Sequence, residues 1–170
     1  MRSGKSNVLV LGLGNDILTD DAIGLTVARE VCARLDDDEG IDVRWTTEMG
    51  LSLLDEIVDY RSLILVDAAQ TGRAPAGHLH ELVGNDLHVL PSVTPHFLGI
   101  GETLALGRLL GLPMPGRVRI FGVEVEDMRT LGTQLTSALA RALPGVINTV
   151  LAAVRAERQR QEIGADLLTP

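Results

Sequence analysis

Hydrophobic and polar positions alternate along this chain between two periods. Asn7 to Leu13 (NVLVLGL) is a continuous apolar, β-rich run, the pattern of a strand buried on both faces. A polar turn, Gly14 to Asp21, follows it. Ile23, Val27, Val31 and Leu35 then recur every four residues and predict a helix. The acidic run Asp36 to Glu39 with Gly40 closes that helix; acid opposes the dipole at a helix C-terminus, so the run reads as a solvated loop. Ile41 to Thr47 reads as a second strand. Leu51, Leu54, Ile57 and Val58 mark a short helix, and Ser62 to Ala68 (SLILVDA) is another fully buried strand. Gly77 to Val83 reads as a strand with poorer alternation. Thr94-Pro95 opens a helix running to about Leu110, with Thr at the N-cap and Pro at the first helical position. Gly116 to Val125 (GRVRIFGVEV) is the last strand. A closing helical region from Leu135 to Val154 is expected to break at Pro144-Gly145.

Strands alternating with helices predict an α/β fold: a three-layer sandwich with a mostly parallel central sheet and helices on both faces. The pattern predicts one domain over residues 1–155 and a flexible tail over 156–170. No internal repeat or linker interrupts it.

Composition narrows the class. A chain of 170 residues with 45% hydrophobic content suits one domain with one core. Its two Phe, one Tyr and one Trp make that core aliphatic. The net charge of −8 argues against nonspecific binding to nucleic acid or to an anionic membrane. The single cysteine, Cys32, excludes an internal disulfide. It shares helical spacing with Ala28 and Leu35 and is expected in the core. The first seven residues are too short and polar for a leader, and no apolar run reads as long enough to span a bilayer, so a cytoplasmic protein is expected.

Three positions carry candidate chemistry. In open α/β sheets the site lies beyond the carboxyl ends of the strands. Asp21 follows the first strand, Asp67 ends SLILVDA, and His96 falls in the first turn of the helix opened by Thr94-Pro95. Two carboxylates and one imidazole suit a divalent ion such as zinc or nickel, and equally suit acid–base work on a water. Blander readings stand beside these. Asp20 or Asp21 serves as well as a helix N-cap, and Asp67 as a turn residue, although an acid directly after an apolar run risks costly burial. A lone histidine is more often a hydrogen-bonded surface group than a ligand. His78, His80 and His88 are left as background on that ground, since no acid accompanies the His-x-His pair in the pattern. Gly12-x-Gly14 invites a dinucleotide reading, but Ile17 occupies the third glycine position and no Walker lysine follows.

The stretch VLVLGLGNDILTDDAIG resembles the opening of the hydrogenase maturation endopeptidases, with a strand, GxGN, a leucine and a D-[DE]-[GA]-x-G motif. SLILVDA, VTPHFLGI and FGVEVEDMRTLGTQLT resemble three further family segments in the same order, so the resemblance covers about residues 7–154. It implies an aspartyl-type endopeptidase that removes a C-terminal peptide from the large-subunit precursor of a nickel-iron hydrogenase after nickel insertion. It also implies that Asp21, Asp67 and His96 contact the metal and carry the cleavage. The nickel would arrive with the substrate as its recognition element, with zinc or cadmium able to replace it in crystals. The partner would be that precursor, met by a monomer.

The sequence departs from the family pattern at Trp45 to Gly50, where many members carry an acid and a small-residue run. Glu48 and Gly50 are candidate substrate-binding residues there. Ala22 replaces a common glycine, and Glu124 to Glu126 lack a frequent proline. Peptidyl-tRNA hydrolase also opens with a strand and GLGN, but tRNA binding depends on phosphate neutralisation and this chain is acidic. A noncatalytic protein that binds and checks the metallated precursor would show the same ligand set.

Overall fold

The computed structural model describes residues 7–35, 40–83 and 95–166, and side chains there except in 95–99 and 164–166. Five strands form one sheet: β1 (Val8–Leu13), β2 (Ile41–Thr46), β3 (Ser62–Ala69), β4 (Leu79–Val83) and β5 (Arg117–Glu124). Their order is β2-β1-β3-β5-β4. The first four in that row are parallel, and only β4, at one edge, runs against its neighbour β5. Helices α1 (Ile23–Arg34) and α4 (Ser137–Asp166) cover one face, while α2 (Leu53–Ile57) and α3 (Pro95–Leu109) cover the other. The three-layer α/β sandwich expected from the alternation is the observed fold.

Strict alternation splits the strands between two cores. Val8, Val10, Ile64, Val66, Phe121 and Val123 pack against α1 and α4. Leu9, Leu11, Leu63, Leu65 and Ile120 pack against Leu53, Ile57, Ile100 and Leu104. Burial on both faces is why β1 and β3 read as unbroken apolar runs rather than alternating ones. Leaving β1, the chain moves outward to β2 through α1; leaving β2, it crosses back to β3. The strand order therefore reverses between β1 and β3, and a crevice opens at their carboxyl ends.

Two glycines let α1 approach that reversal point. A Cβ on Gly24 would fall on the carbonyl oxygens of Leu13 and Val66, and one on Gly12 would fall on the carbonyl of Gly24. The first turn of α1 is thus pressed against the ends of β1 and β3.

Several expectations need correction. Cys32 is exposed. Successive i+4 steps drift by about 40° around a helix, so Ala28 points inward while Cys32, one step on, has turned out. Helix α4 does not break at Pro144 and continues through residues 156–166, which were expected as a tail. Buried Leu139 on one side of Pro144 and Val146, Ile147 and Val150 on the other pin both halves to the sheet, offsetting the lost backbone bond. Further on, Glu157 is buried, accepting hydrogen bonds from Ser62 (2.6 Å) and Arg117 (3.0 Å), and Gln161 donates to Ser62. Over Ser137–Ile163 α4 is also long and apolar enough to cross a bilayer, contrary to the sequence reading, but its apolar stripe lies on the core. In the short helix the buried residues are Leu53 and Ile57, and Leu51 is exposed. The acidic run 36–39, Thr94 and His88 lie outside the described residues.

Gly24→Ala is expected to lower stability by about 1–3 kcal/mol, the usual cost of overpacking. Gly145→Ala, in α4 with open space at its Cβ position, is expected to raise it by roughly 0.5–1 kcal/mol. Urea denaturation midpoints that move together for the two variants would refute this account of α1.

Candidate active site

The carboxyl ends of the parallel strands collect the candidate residues. Asp21 lies in the β1–α1 loop and is almost wholly buried, with its backbone carbonyl against Gly14. Asp67 is fully buried near the end of β3 and accepts a 2.8 Å hydrogen bond from the Ala68 N–H. Gly24 touches both Leu13 and Val66, so the start of α1, just after Asp21, meets the end of the strand that carries Asp67. Alternation puts Asp67, between Leu65 and Ala69, on the face covered by α2 and α3.

Helix α3 runs back toward the amino end of the sheet, because its last residue joins the start of β5 through the short segment 110–116. Its first turn, carrying His96, is therefore at the carboxyl end, the same end as Asp21 and Asp67. The His96 side chain lies outside the description, and among the described residues no group of three or more His, Cys, Asp or Glu is arranged to hold an ion. A cleft of about 320 Å³ opens here, lined by Gly14, Asn15, Asp16, Ile17, Asp21, Thr47 and Met49. Glu48 is exposed and accepts from Ser52 at 3.5 Å, so the cleft is lined by its two neighbours rather than by Glu48. Gly50, with φ of 68°, opens a 3-10 turn, and its carbonyl accepts from Thr103.

Asp20 does something the sequence did not suggest. The N-cap of α1 is Ala22, which offers no side-chain cap. The buried Asp20 carboxylate instead accepts hydrogen bonds from the N–H groups of Glu126 (3.2 Å), Asp127 (3.1 Å) and Thr136 (2.8 Å) and from the Thr136 hydroxyl (3.0 Å). Around it Thr19 N–H donates to Thr130, Asp20 N–H to Asp127, and Gly132 N–H to Ile17. The loop that carries Asp21 is thus fastened to the β5–α4 loop. Two apolar side chains, Ile17 and Leu131, stay exposed on this clasp.

A second buried acid was also missed. Glu124 ends β5 and accepts hydrogen bonds from Thr71 N–H (2.8 Å), Thr71 hydroxyl (2.6 Å) and Gly72 N–H (2.8 Å), and its Oε2 lies 2.6 Å from His80 Nε2. Burial pushes this carboxyl upward, but the donors of Thr71, His80 and Gly72 outweigh burial and hold it below the usual carboxylate range. The signal was present: Glu124, like Asp67, is an acid placed straight after a buried strand run. It also supplies the acid whose absence had left His80 as background.

Residues 6–153 match the family model described as hydrogenase maturation protease, HycI. The chain belongs to the hydrogenase maturation protease family. It is 28% identical over 151 residues to the hydrogenase 2 maturation protease of Escherichia coli K12, covering 87% of this chain and 90% of that protein. It is 24% identical to the hydrogenase expression/formation protein HupD of Rhizobium leguminosarum bv. viciae, with 87% of this chain and 74% of that one covered. The structure of the E. coli hydrogenase maturating endopeptidase HybD aligns with a TM-score of 0.76 at 26% identity, over 89% of this chain and 93% of that one. As a member of the hydrogenase maturation protease family, the chain is a peptidase.

Asp20→Ala is expected to cost about 2–4 kcal/mol, because buried N–H groups of the clasp lose their acceptor; an unchanged denaturation midpoint would remove Asp20 from that role. For Glu124 the sign follows from its depressed value. Its contribution is complete above the ordinary glutamate range and is lost as pH falls through the lower folded value. Melting temperature should therefore fall more steeply between about pH 5 and about pH 3 in the parent than in Glu124→Gln. Parallel curves would contradict the assignment.

Proposed function

We propose that this protein removes the C-terminal extension of a nickel-iron hydrogenase large-subunit precursor once nickel is in place, with the metal as the recognition element. The observation that carries this reading is that Asp21 and Asp67 lie by the reversal point between β1 and β3, with the first turn of α3 at the same end of the sheet. Asp21 lines the cleft and Asp67 lies at the neighbouring strand end, and carboxylate oxygens are the groups that a cation delivered by the substrate would engage.

The donor set fits such an ion: two hard oxygen ligands and an imidazole suit a borderline divalent metal, leaving positions for groups of the substrate. Asp21 and Asp67 would hold it from the ends of β1 and β3, and His96 from the start of α3. Zinc or cadmium would occupy the same place. On this reading the nickel is cargo of the precursor. The chain's own part is to orient the carboxylates, so that a water beside them is aimed at the scissile carbonyl and loses a proton to one of them. Thr47 and Met49, next to Glu48 and Gly50, would meet the departing peptide where it leaves the cleft.

Purified protein mixed with nickel-loaded and with nickel-free precursor tests the proposal by intact mass. The expected result is loss of the C-terminal peptide from the loaded form alone. Asp21→Asn and His96→Ala should each abolish processing while keeping the parental melting curve. Complex formation with no change of mass would make the protein a binder that checks the metallated precursor, and full activity in either variant would remove that residue from the site.

A further inference from the structure

The His80–Glu124 pair lies at the working end of the sheet, and neither the metal reading nor the clasp uses it. In β4–β5 pairing His80 stands opposite Gly122, and in β3–β5 pairing Gly122 stands opposite Asp67. Asp67, Gly122 and His80 thus form one row across three strands. Alternation puts all three on the α2/α3 face: Leu65 and Ala69 flank Asp67 there, Ile120 precedes Gly122, and Leu82 follows His80. Asp67 and His80 are two strand spacings apart, about 9.5 Å. The residue between them has no side chain.

Glu124 lies on the same face, one alternation beyond Gly122, and its carboxylate meets His80 Nε2 at 2.6 Å. The ring is edge-on to His78, with centroids 4.8 Å apart, and its side chain is 27% exposed. On the opposite face of the same strands, Arg119 and Glu81 pair with each other. An anion engaged at Nε2 fixes the ring and leaves Nδ1 as the nitrogen that can exchange a proton with a reactant, the relation found wherever a carboxylate orients a working imidazole. Anchoring the turn at Thr71 and Gly72 would need only an acceptor. The imidazole is surplus to that task.

We propose that His80, oriented by Glu124, is the proton donor to the leaving nitrogen in the peptide cleavage assigned to this site under the proposed function. Gly122 is buried, so a peptide would meet the partly exposed His80 ring from beyond the strand ends, the end at which Asp67 also lies. Water oxygen bonds to the scissile carbonyl carbon, the C–N bond breaks, and the nitrogen takes a proton from Nδ1. The proton that the attacking water gives to a carboxylate returns to solvent, and the partly exposed imidazole takes one back from solvent. The sum is hydrolysis, with no other reactant.

The test is steady-state processing of nickel-loaded precursor by the full-length protein. His80→Gln, which keeps a hydrogen bond to Glu124, and His80→Ala should each lose about a hundredfold or more in kcat at unchanged KM. Added imidazole should restore part of the kcat of His80→Ala, which a merely structural role would not allow. Parental kcat in a folded variant, a change confined to KM or melting temperature, or loss without imidazole rescue would each overturn the proposal. His80→Gln alone decides the matter if the alanine variant does not fold. Failure of the parent protein to cleave loaded precursor would instead overturn the protease reading beneath it; normal cleavage by the parent and by His80→Gln would overturn only the role of His80.

Discussion

The contact on which the rest of the site depends is the meeting of α1 with the ends of β1 and β3. Three carbonyl groups, those of Leu13, Gly24 and Val66, lie where side chains would normally stand, and Gly12 and Gly24 make room for them. Without this approach α1 would ride farther from the sheet and the loop before it would swing away from β3. Asp21, in the loop just before α1, and Asp67, near the end of β3, are separated in sequence by helix, strand and helix, yet this one packing constraint brings the start of α1 to the end of β3. Backbone oxygen is harder to displace than the end of a side chain, so the spacing is set by rigid parts of the molecule.

The same end of the molecule concentrates buried charge. Asp20, Asp21, Asp67 and Glu124 are all inside. For Asp20 and Glu124 the structure shows how this is tolerated: each accepts four hydrogen bonds, largely from backbone N–H groups of loops that would otherwise lack partners. These two acids hold loops in place at that end of the sheet. Asp20 fastens the β1–α1 loop to the β5–α4 loop, and Glu124 joins the turn after β3 to β4.

Much of this was legible in the sequence because burial on both faces leaves an unmistakable mark. The apolar runs at Val8–Leu13 and Ser62–Ala69, and the helical stripe from Ile23, follow directly from their places in the sheet and against it. Asp67 stood out because an acid at the end of such a run is expensive. What stayed hidden depends on partners distant in the chain. Nothing local to Asp20 says that its acceptors will be filled by Glu126, Asp127 and Thr136, so a helix cap was the natural reading. Nothing local to His80 reveals Glu124, forty-four residues on, although Glu124 obeys the same strand-end rule as Asp67. Cys32 and Pro144 were misjudged for a related reason. Periodicity says which side of a helix is apolar, but the sheet beneath decides how far that side is covered and whether a proline can be carried.

The clasp at Asp20 also bears on when the protein can first work. The loop that shapes the cleft belongs to the first strand–helix unit, but the groups that hold it come from the segment after β5, 106 to 116 residues later. Such a closure is long-range, and contacts of this kind form late, once the entropy of bringing distant segments together has been met. During synthesis the early half of the sheet can collapse onto α1 while the loop that lines the cleft beside Asp21 still lacks its anchor. The loop that shapes the cleft is therefore held in place only once the chain has been made as far as Thr136.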